Sequence, residues 1–171
     1  MSAQERDLFI YNGVSYYLVG VDPIEKFFSI NKLGIYPVAP STANWRGFIA
    51  TFAVSQGQLI LKDLITNNGN IEGSLAIELN GIIPLVSKPN KAPETSKWRE
   101  WHYNNVNLLI PYTGKVIITD RYNNYGHTAF YEPSEYFGDL IILSFTDGEL
   151  TGEEFQKNKS SNFSLSEEPW E

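Results

Sequence analysis

Tight two-residue turns between strand-like runs constrain the fold of this chain more than any other sequence feature. Asn12-Gly13 favours the left-handed backbone of a type I′ turn, which joins two antiparallel strands without splaying them. Gln56-Gly57 occupies the same place between two apolar runs. The runs that flank these two turns are residues 8–11, 15–19, 48–54 and 58–64. The sequence therefore predicts two β-hairpins near its start.

The rest of the chain continues this strand-rich pattern. The further strand candidates are residues 74–79, 106–110, 115–119 and 139–145. Pro111-Tyr112-Thr113-Gly114 and Asp147-Gly148 are typical turn sequences beside them. With 171 residues, of which 42% are hydrophobic, the chain can bury a core of its own. We expect an α+β fold dominated by antiparallel strands, with one or two short helices on a twisted, sandwich-like or half-barrel sheet.

One short α-helix is predicted after the first hairpin. In residues 22–25, Asp-Pro-Ile-Glu, the aspartate is a candidate N-cap, proline suits the first helical position, and glutamate completes a capping pattern. Ile24, Phe27 and Phe28 would share one face of this helix. Gly34 is placed to end it. We expect the helix to pack on the sheet.

Composition along the chain suggests one domain followed by a tail. Residues 1–152 form a single β-rich domain in this interpretation, and residues 153–171 are an acidic tail, either loosely docked or disordered. Two loops stand out, residues 84–96 and residues 121–133, because long irregular segments on a compact domain are often functional. A second short helix is possible over residues 133–137.

The charge of the chain favours a basic partner. The formal net charge is −7, and the part from Asp147 onward carries seven acids and two bases. Nucleic acid is a poor partner for such a chain, because binding it requires Lys and Arg to neutralise phosphates. A basic protein is the electrostatic complement, since opposite charge accelerates encounter.

Several classes of protein are disfavoured by composition. The chain has no cysteine, so disulfide scaffolds, thiolate zinc sites and cysteine nucleophiles are excluded. No apolar run approaches the roughly 20 residues of a membrane-spanning helix. The N-terminal sequence lacks a basic stretch followed by an apolar one, so it does not resemble a signal peptide. We therefore expect a cytoplasmic protein with no membrane partner.

Catalytic and metal-binding patterns are weak. His102, His127 and Lys115 could supply the proton transfers and the cation of a ribonuclease-like enzyme. His102, His127 and Asp120 could hold a metal ion, although no metal-binding motif spacing is present. Nucleophile-elbow and phosphate-loop motifs are also missing. The sequence therefore favours a protein that is not an enzyme and uses neither a metal nor a cofactor.

A segment rich in small and polar residues, Ser41-Thr42-Ala43-Asn44-Trp45-Arg46-Gly47, precedes the second hairpin. Arg46 could bind a carboxylate or another anion through both guanidinium nitrogens, with Trp45 covering a pocket. These residues would then form a small-ligand site. The same two residues could instead be structural, with Arg46 bonded to a loop and Trp45 capping the core. The structural role is the one that the sequence favours.

Aromatic and acidic residues are concentrated late in the chain. Tryptophan and tyrosine carry much of the binding energy in protein interfaces, because each buries a large area and keeps one polar group. About half of these aromatics are expected to be ordinary core residues. The residues that we expect to bind a partner are Trp98, Trp101, Tyr122, Tyr125, Glu132, Glu135, Asp139, Glu153 and Glu154.

Residues 41–52, STANWRGFIATF, resemble the pattern STA-x-W-R-G-aromatic of a family of uncharacterised bacterial proteins. The resemblance extends over residues 8–150 and includes the second hairpin and the Leu-x-Ile-Pro segment at residues 108–111. It implies a bacterial origin and a shared fold, and it implies no mechanism. The loop at residues 84–96 and the acidic tail are particular to this chain.

A broader analogy is to the immunity proteins of contact-dependent inhibition and related toxin systems. These are small, acidic cytoplasmic proteins without catalytic motifs, whose surfaces complement a basic nuclease toxin. The function expected from the sequence is accordingly that of an immunity protein, which neutralises a basic bacterial toxin by covering its active site. The two alternatives are a small-ligand module at Trp45 and Arg46 and an enzyme that uses His102, His127 and Lys115.

Overall fold

The structure, a computed structural model, shows a β-rich chain with little helix. It describes residues 6–38, 46–67, 77–87, 99–121 and 138–157. The strands are β1 (Leu8–Tyr11), β2 (Val14–Asp22), β3 (Phe48–Ser55), β4 (Gln58–Asn67), β5 (Leu85–Ser87), β6 (Glu100–Tyr103), β7 (Leu108–Leu109), β8 (Gly114–Thr119), β9 (Leu140–Thr146) and β10 (Glu149–Gln156). Two 3-10 helices, η1 (Ile24–Lys26) and η2 (Ile30–Leu33), lie between β2 and β3. The predicted fold class is confirmed.

Seven of the strands form a closed barrel in the order β10-β9-β8-β2-β1-β3-β4. The barrel closes where Glu149 of β10 pairs with Gln58 of β4. β6 and β5 extend the sheet from the C-terminal half of β4, and the short strand β7 pairs with Ile60 and Leu61. Every pairing among the described strands is antiparallel except that of β1 with β3. The predicted antiparallel character is therefore confirmed, and the predicted half-barrel is a complete one.

The hairpin turns form where the sequence predicts them. Asn12 and Gly13 have φ angles of 51° and 77°, and Gln56 and Gly57 have φ angles of 52° and 75°. Asp147-Gly148 repeats this geometry between β9 and β10, with φ angles of 48° and 84°. Positive φ at both central positions is the requirement of a type I′ turn, and it matches the twist of the flanking strands. These three local turns set the register of three antiparallel pairs.

The barrel interior is filled by apolar side chains that alternate along the strands. Phe9, Phe52, Leu61, Ile118 and Leu143 are completely buried. Each comes from a different barrel strand, so the core is continuous around the barrel. The described barrel strands therefore share one core, since a closed barrel buries one face of every strand.

The predicted α-helix after Asp22 does not form. Asp22 is the last residue of β2, and two short 3-10 helices follow instead of one α-helix. Ser29 separates them in an extended conformation, with φ −133° and ψ 112°. Phe27 and Ile30 are nevertheless both buried, so the segment still packs its apolar residues on the barrel. Gly34 ends the second 3-10 helix with φ 81°, as the sequence predicts.

Other strand predictions hold only in part. In residues 106–110 only Leu108–Leu109 forms a strand. Of residues 74–79, the described part contains a single bridge, between Leu79 and Ile82. β6 was not predicted, and Leu85–Ser87 forms β5 inside the predicted loop at residues 84–96.

The C-terminal boundary also moves. β10 continues to Gln156, so the residues expected to begin the acidic tail belong to the sheet. The possible second helix at residues 133–137 lies outside the described residues. Neither helix of the described part has the length and apolar character needed to cross a membrane.

Candidate functional site

The nine residues expected to bind a partner are divided between two parts of the chain. Those that lie outside the described residues are Trp98, Tyr122, Tyr125, Glu132 and Glu135. The four that the structure places are Trp101, Asp139, Glu153 and Glu154. Glu153 and Glu154 lie on β10 and Asp139 directly precedes the neighbouring strand β9, while Trp101 belongs to another part of the sheet.

Trp101 is a core residue and not an exposed anchor. Its side chain is 7% exposed, and its ring packs edge-on against Tyr103 with the centroids 6.5 Å apart. In β6 it lies opposite the fully buried Thr66 of β4. The expectation that Trp101 binds a partner is therefore wrong, because a partner could not reach the indole ring without unfolding this part of the sheet.

Asp139 lies at one end of the barrel, where three strand ends meet. Thr119 at the end of β8 pairs with Leu140 at the start of β9, and Leu140 pairs with Gln156 at the end of β10. Asp120 comes directly after Thr119, and Asp139 comes directly before Leu140. The antiparallel register therefore brings two carboxylates to this end of the barrel. Asp120 was not among the residues expected to bind a partner.

Hydrogen bonds fix the backbone at this end. The Gly138 amide donates to the Arg121 carbonyl at 2.8 Å. The Thr119 hydroxyl donates to the Asp139 carbonyl at 2.9 Å. Thr119 is itself fully buried, so the start of β9 is held rigidly against the end of β8. Arg121 and Gly138, the described residues on either side of 122–137 in the sequence, therefore lie at this end of the barrel.

Glu153 is tied to the barrel interior. It pairs with the buried Leu143 in β9, so both side chains point to the same face of the sheet. The Tyr11 hydroxyl, whose residue is 7% exposed, donates a hydrogen bond to the Glu153 carboxylate from across the barrel. Burial, and then this bond, raise the pKa of Tyr11 to about 12. The carboxylate of Glu153 therefore has a structural partner as well as an exposed position.

Glu154 and Phe155 follow it in β10 and lie on opposite faces of the strand, with Phe155 on the same face as Glu153. Glu154 is exposed, and Phe155 is 64% exposed. Beyond Leu150, whose amide donates to the Gly57 carbonyl at 2.8 Å, β10 has no strand partner other than β9 among the described residues. Such an edge can accept a strand from another protein. Asp139, Glu153, Glu154 and Phe155 are called the acidic edge below.

The Trp45-Arg46 segment has a structural role in its described part. Both guanidinium nitrogens of Arg46 donate to the carboxylate of Asp7, at 2.7 and 2.8 Å. Asp7 also accepts the backbone N–H of Ala50 at 2.9 Å, and the guanidinium lies 4.5 Å from the centre of the Phe48 ring. Arg46 thus binds a carboxylate through its two terminal nitrogens, as the sequence allows, and that carboxylate belongs to Asp7 of the same chain. Trp45 lies outside the described residues.

Gly47 in the same segment is also explained by packing. Its φ is 77°, and a Cβ atom there would lie 2.8 Å from the Val38 carbonyl oxygen. The Gly47 carbonyl accepts the Asn67 amide at 2.8 Å, next to the bond between Val38 and the Asn67 carbonyl. Only glycine fits this close approach without displacing the neighbouring backbone.

The residues expected for an enzyme do not converge. His102 lies on β6, which flanks β4, whereas Lys115 lies on β8 at the opposite side of the barrel. Lys115 is exposed on the outer face next to the buried Val116. Two outward-facing groups on opposite walls of a filled barrel cannot act on one substrate. His127 lies outside the described residues.

His102 has two polar neighbours on its own face of the sheet. Its Nε2 atom lies 3.0 Å from the Ser87 hydroxyl and 3.1 Å from a Glu100 carboxylate oxygen. A catalytic triad requires the acid and the hydroxyl on opposite ring nitrogens, so that the acid orients the ring that accepts the proton. Here both contacts are made to one nitrogen. This arrangement satisfies polar groups on the sheet surface and does not activate the serine.

The expected metal site has no counterpart in the part of the chain that the structure describes. There, no three His, Asp or Glu side chains are grouped so that they could hold an ion. Two of the three residues considered as ligands lie on different sides of the barrel, since His102 is on β6 and Asp120 directly follows β8.

Comparisons of this chain with protein-family models, with curated proteins and with solved structures found no match.

Proposed function

We propose that the protein is a cytoplasmic, non-enzymatic binding protein, and specifically an immunity protein that neutralises a basic, nuclease-type bacterial toxin. The observation that carries the proposal is the exposure of Phe155 beside Glu154 on a strand edge that has no partner strand among the described residues. An exposed aromatic ring on the same face of the strand as Glu153, with the Glu154 carboxylate on the other face of the same edge, is a combination that a basic partner with an apolar pocket would recognise.

The acidic edge would act by occupying the toxin's substrate groove. Carboxylates of Glu154 and Asp139 would take the places of nucleic-acid phosphates beside the toxin's lysines and arginines. Phe155 would supply the buried apolar anchor, since interface energy is concentrated in a few desolvated side chains. The rigid end of the barrel presents these groups without an ordering cost on binding.

The overall charge supports the same proposal. The net charge of −7 accelerates encounter with a basic protein and repels competing nucleic acid. The two alternatives have less support. Arg46 is occupied by Asp7, and Lys115 and His102 lie on opposite sides of the barrel.

The proposal is tested with the product of the gene directly upstream, purified and immobilised as the candidate toxin. We expect stoichiometric binding that weakens steeply with salt, because charge pairs dominate the encounter. Glu154→Lys and Phe155→Ala should each weaken the affinity at least about ten-fold, as expected for residues near an interface centre. Surface plasmon resonance at two salt concentrations measures both effects.

Matched variants elsewhere on the surface serve as controls. Tyr36 is 70% exposed, so Tyr36→Ala removes an equally exposed aromatic ring far along the chain from β10. Glu25→Lys makes the same charge reversal at the other end of the barrel. Both should change the affinity less than about two-fold. Equal losses of affinity in the control and test variants, or an affinity that does not change with salt concentration, would show that the acidic edge is not the binding surface.

A further inference from the structure

A cleft lies at the opposite end of the barrel from the acidic edge. β8 begins beside Asp22, where the 3-10 segment starts, and ends at Thr119 near the acidic edge. The cleft has a volume of about 230 Å³ and lies between the 3-10 segment and the stretch from Leu108 to Pro111. It is therefore separated from the proposed partner surface by the length of the barrel.

Both walls of the cleft are fixed by the core. Phe28 on one wall packs edge-on against Phe48 and Phe52, with ring centroids 5.9 and 5.4 Å apart. On the other wall, the Ile110 amide donates to the Leu59 carbonyl at 3.0 Å, and Leu108 pairs with β4. The cleft is thus formed before any ligand arrives, which lowers the ordering cost of binding.

The inner surface of the cleft is apolar. Phe28, Leu33 and Leu108 are partly buried against the main core and line it together with the buried Ile110. Leu109 also lines the cleft and is 63% exposed. An apolar ligand lying here would cover Leu109 and complete the packing of its neighbours.

Two lysines stand at this apolar surface in an otherwise acidic protein. Lys26 and Lys32 both line the cleft and are exposed, and neither forms an ion pair with another described residue. Glu25 also lines the cleft and offsets one of the two positive charges. The cleft therefore combines an apolar wall with a local excess of one positive charge, in a chain whose net charge is −7.

We propose that this cleft binds a small amphipathic carboxylate, with its apolar body against Phe28, Leu33 and Leu109 and its carboxylate beside Lys26 and Lys32. A volume of about 230 Å³ suits a ligand of about ten non-hydrogen atoms. Glu25 at the rim disfavours a polyanion such as a nucleoside triphosphate. A neutral lipid would form no ion pair with Lys26 or Lys32.

Sodium octanoate is the probe for this proposal, and isothermal titration calorimetry on the full chain is the measurement. We expect saturable binding of one octanoate per chain, with a dissociation constant on the order of 1 mM or tighter for a ligand of this size. Acetate, which has the charge alone, and 1-octanol, which has the apolar chain alone, should each bind at least about ten-fold more weakly.

Variants assign the binding to the cleft. Lys26→Gln with Lys32→Gln should weaken octanoate binding at least about ten-fold, and Leu109→Ser should weaken it several-fold. All three positions are exposed, so the variants should keep the wild-type unfolding transition in urea. Lys157→Gln, which removes an exposed lysine directly after β10 at the other end of the barrel, is the matched control and should leave octanoate binding unchanged.

Three outcomes would overturn the proposal. The first is the absence of saturable octanoate binding, and the second is an equal affinity for 1-octanol. The third is an equal loss of affinity in Lys157→Gln and in the double lysine variant. The proposal is independent of the proposed function, because the double variant should leave binding of the upstream gene product unchanged and Glu154→Lys should leave octanoate binding unchanged.

Discussion

The two ends of the barrel are closed by different chemistry. At the end that carries the 3-10 segment, Phe27 packs against Phe52 and Tyr112 with ring centroids 4.8 and 5.0 Å apart. At the other end, the buried Tyr11 donates a hydrogen bond to the Glu153 carboxylate. Packing of aromatic rings closes the first end. At the second end, the polar contact joins β1 and β10, which are not neighbours in the sheet.

This difference separates stability from recognition. Ring packing buries large apolar areas, and each such side chain contributes a few kcal/mol that depends little on pH. A tyrosine–carboxylate bond contributes less and responds to ionisation. Binding surfaces need polar groups and uncovered apolar ones, which weaken the fold locally. The acidic end has both features. The end that carries the 3-10 segment, called the plugged end because Phe27 fills it, supplies the compensating stability.

The largest expected effect is at the plugged end. Phe27→Ala should lower the free energy of unfolding by about 3–4 kcal/mol, because it leaves a cavity between Phe52 and Tyr112. Urea denaturation with a fluorescence readout measures this change. Tyr36→Ala, which removes an exposed ring from the same connection between β2 and β3, is the control and should cost less than about 0.5 kcal/mol. A cost below about 1 kcal/mol for Phe27→Ala would show that the 3-10 segment is not an essential plug.

A polar contact also contributes near the start of β1. Asp7→Ala should lower the free energy of unfolding by about 1–2 kcal/mol, since it removes the partner of Arg46 and the acceptor of the Ala50 amide. Asp7→Asn keeps an acceptor for the amide and should cost less. Equal stability of Asp7→Ala and the wild type in urea would mean that the Arg46 ion pair is fully compensated by water.

Local parts of this fold could be predicted from the sequence. Asn12-Gly13, Gln56-Gly57 and Asp147-Gly148 fix their turns through backbone preferences of the residues themselves, so three hairpins were predictable. The closure of the barrel was not, because it depends on the pairing of Glu149 with Gln58, which are far apart in the chain. Residues 22–25 match the capping pattern of an α-helix start. The apolar residues after them pack on a curved sheet, and two short 3-10 helices place them there instead of one α-helix.

The candidate site was predicted less well, for a related reason. Trp101 and Phe155 look equally suited to an interface in the sequence, and only the strand pairing decides which is buried. Trp101 falls on the inner face of β6, while Phe155 lies in a segment that composition assigned to the tail. Residue type indicates what a side chain can bind, and the register decides whether it is accessible.

A smaller effect is expected for the polar pair at the acidic end. Tyr11→Phe should lower the free energy of unfolding by about 1 kcal/mol at neutral pH, because the ring stays and only the hydrogen bond to Glu153 is lost. The pKa of Tyr11 is raised to about 12 in the folded chain. Its contribution is therefore complete below the ordinary tyrosine pKa of about 10 and is lost as the pH rises from there to about 12.

Urea denaturation at several alkaline pH values measures this dependence. The wild type should lose stability between about pH 10 and 12, and Tyr11→Phe should lose less over the same interval. Tyr103, whose pKa burial also raises to about 12, will keep part of the dependence in both proteins. Identical pH profiles for the two proteins would mean that the Tyr11 hydroxyl is not shielded from solvent by the barrel.

The smallest effect on stability is expected on the acidic edge itself. Phe155→Ala and Glu154→Lys should each change the free energy of unfolding by less than about 0.5 kcal/mol, because both side chains are exposed and no other described residue is hydrogen-bonded to them. The same substitutions are expected to cause the largest loss of partner affinity. A residue kept on the surface for binding should show this pair of responses, whereas a residue that covers the core should show the reverse. If Phe155→Ala destabilised the chain as much as Phe27→Ala does, the ring would belong to the core and the comparison between the two ends would fail.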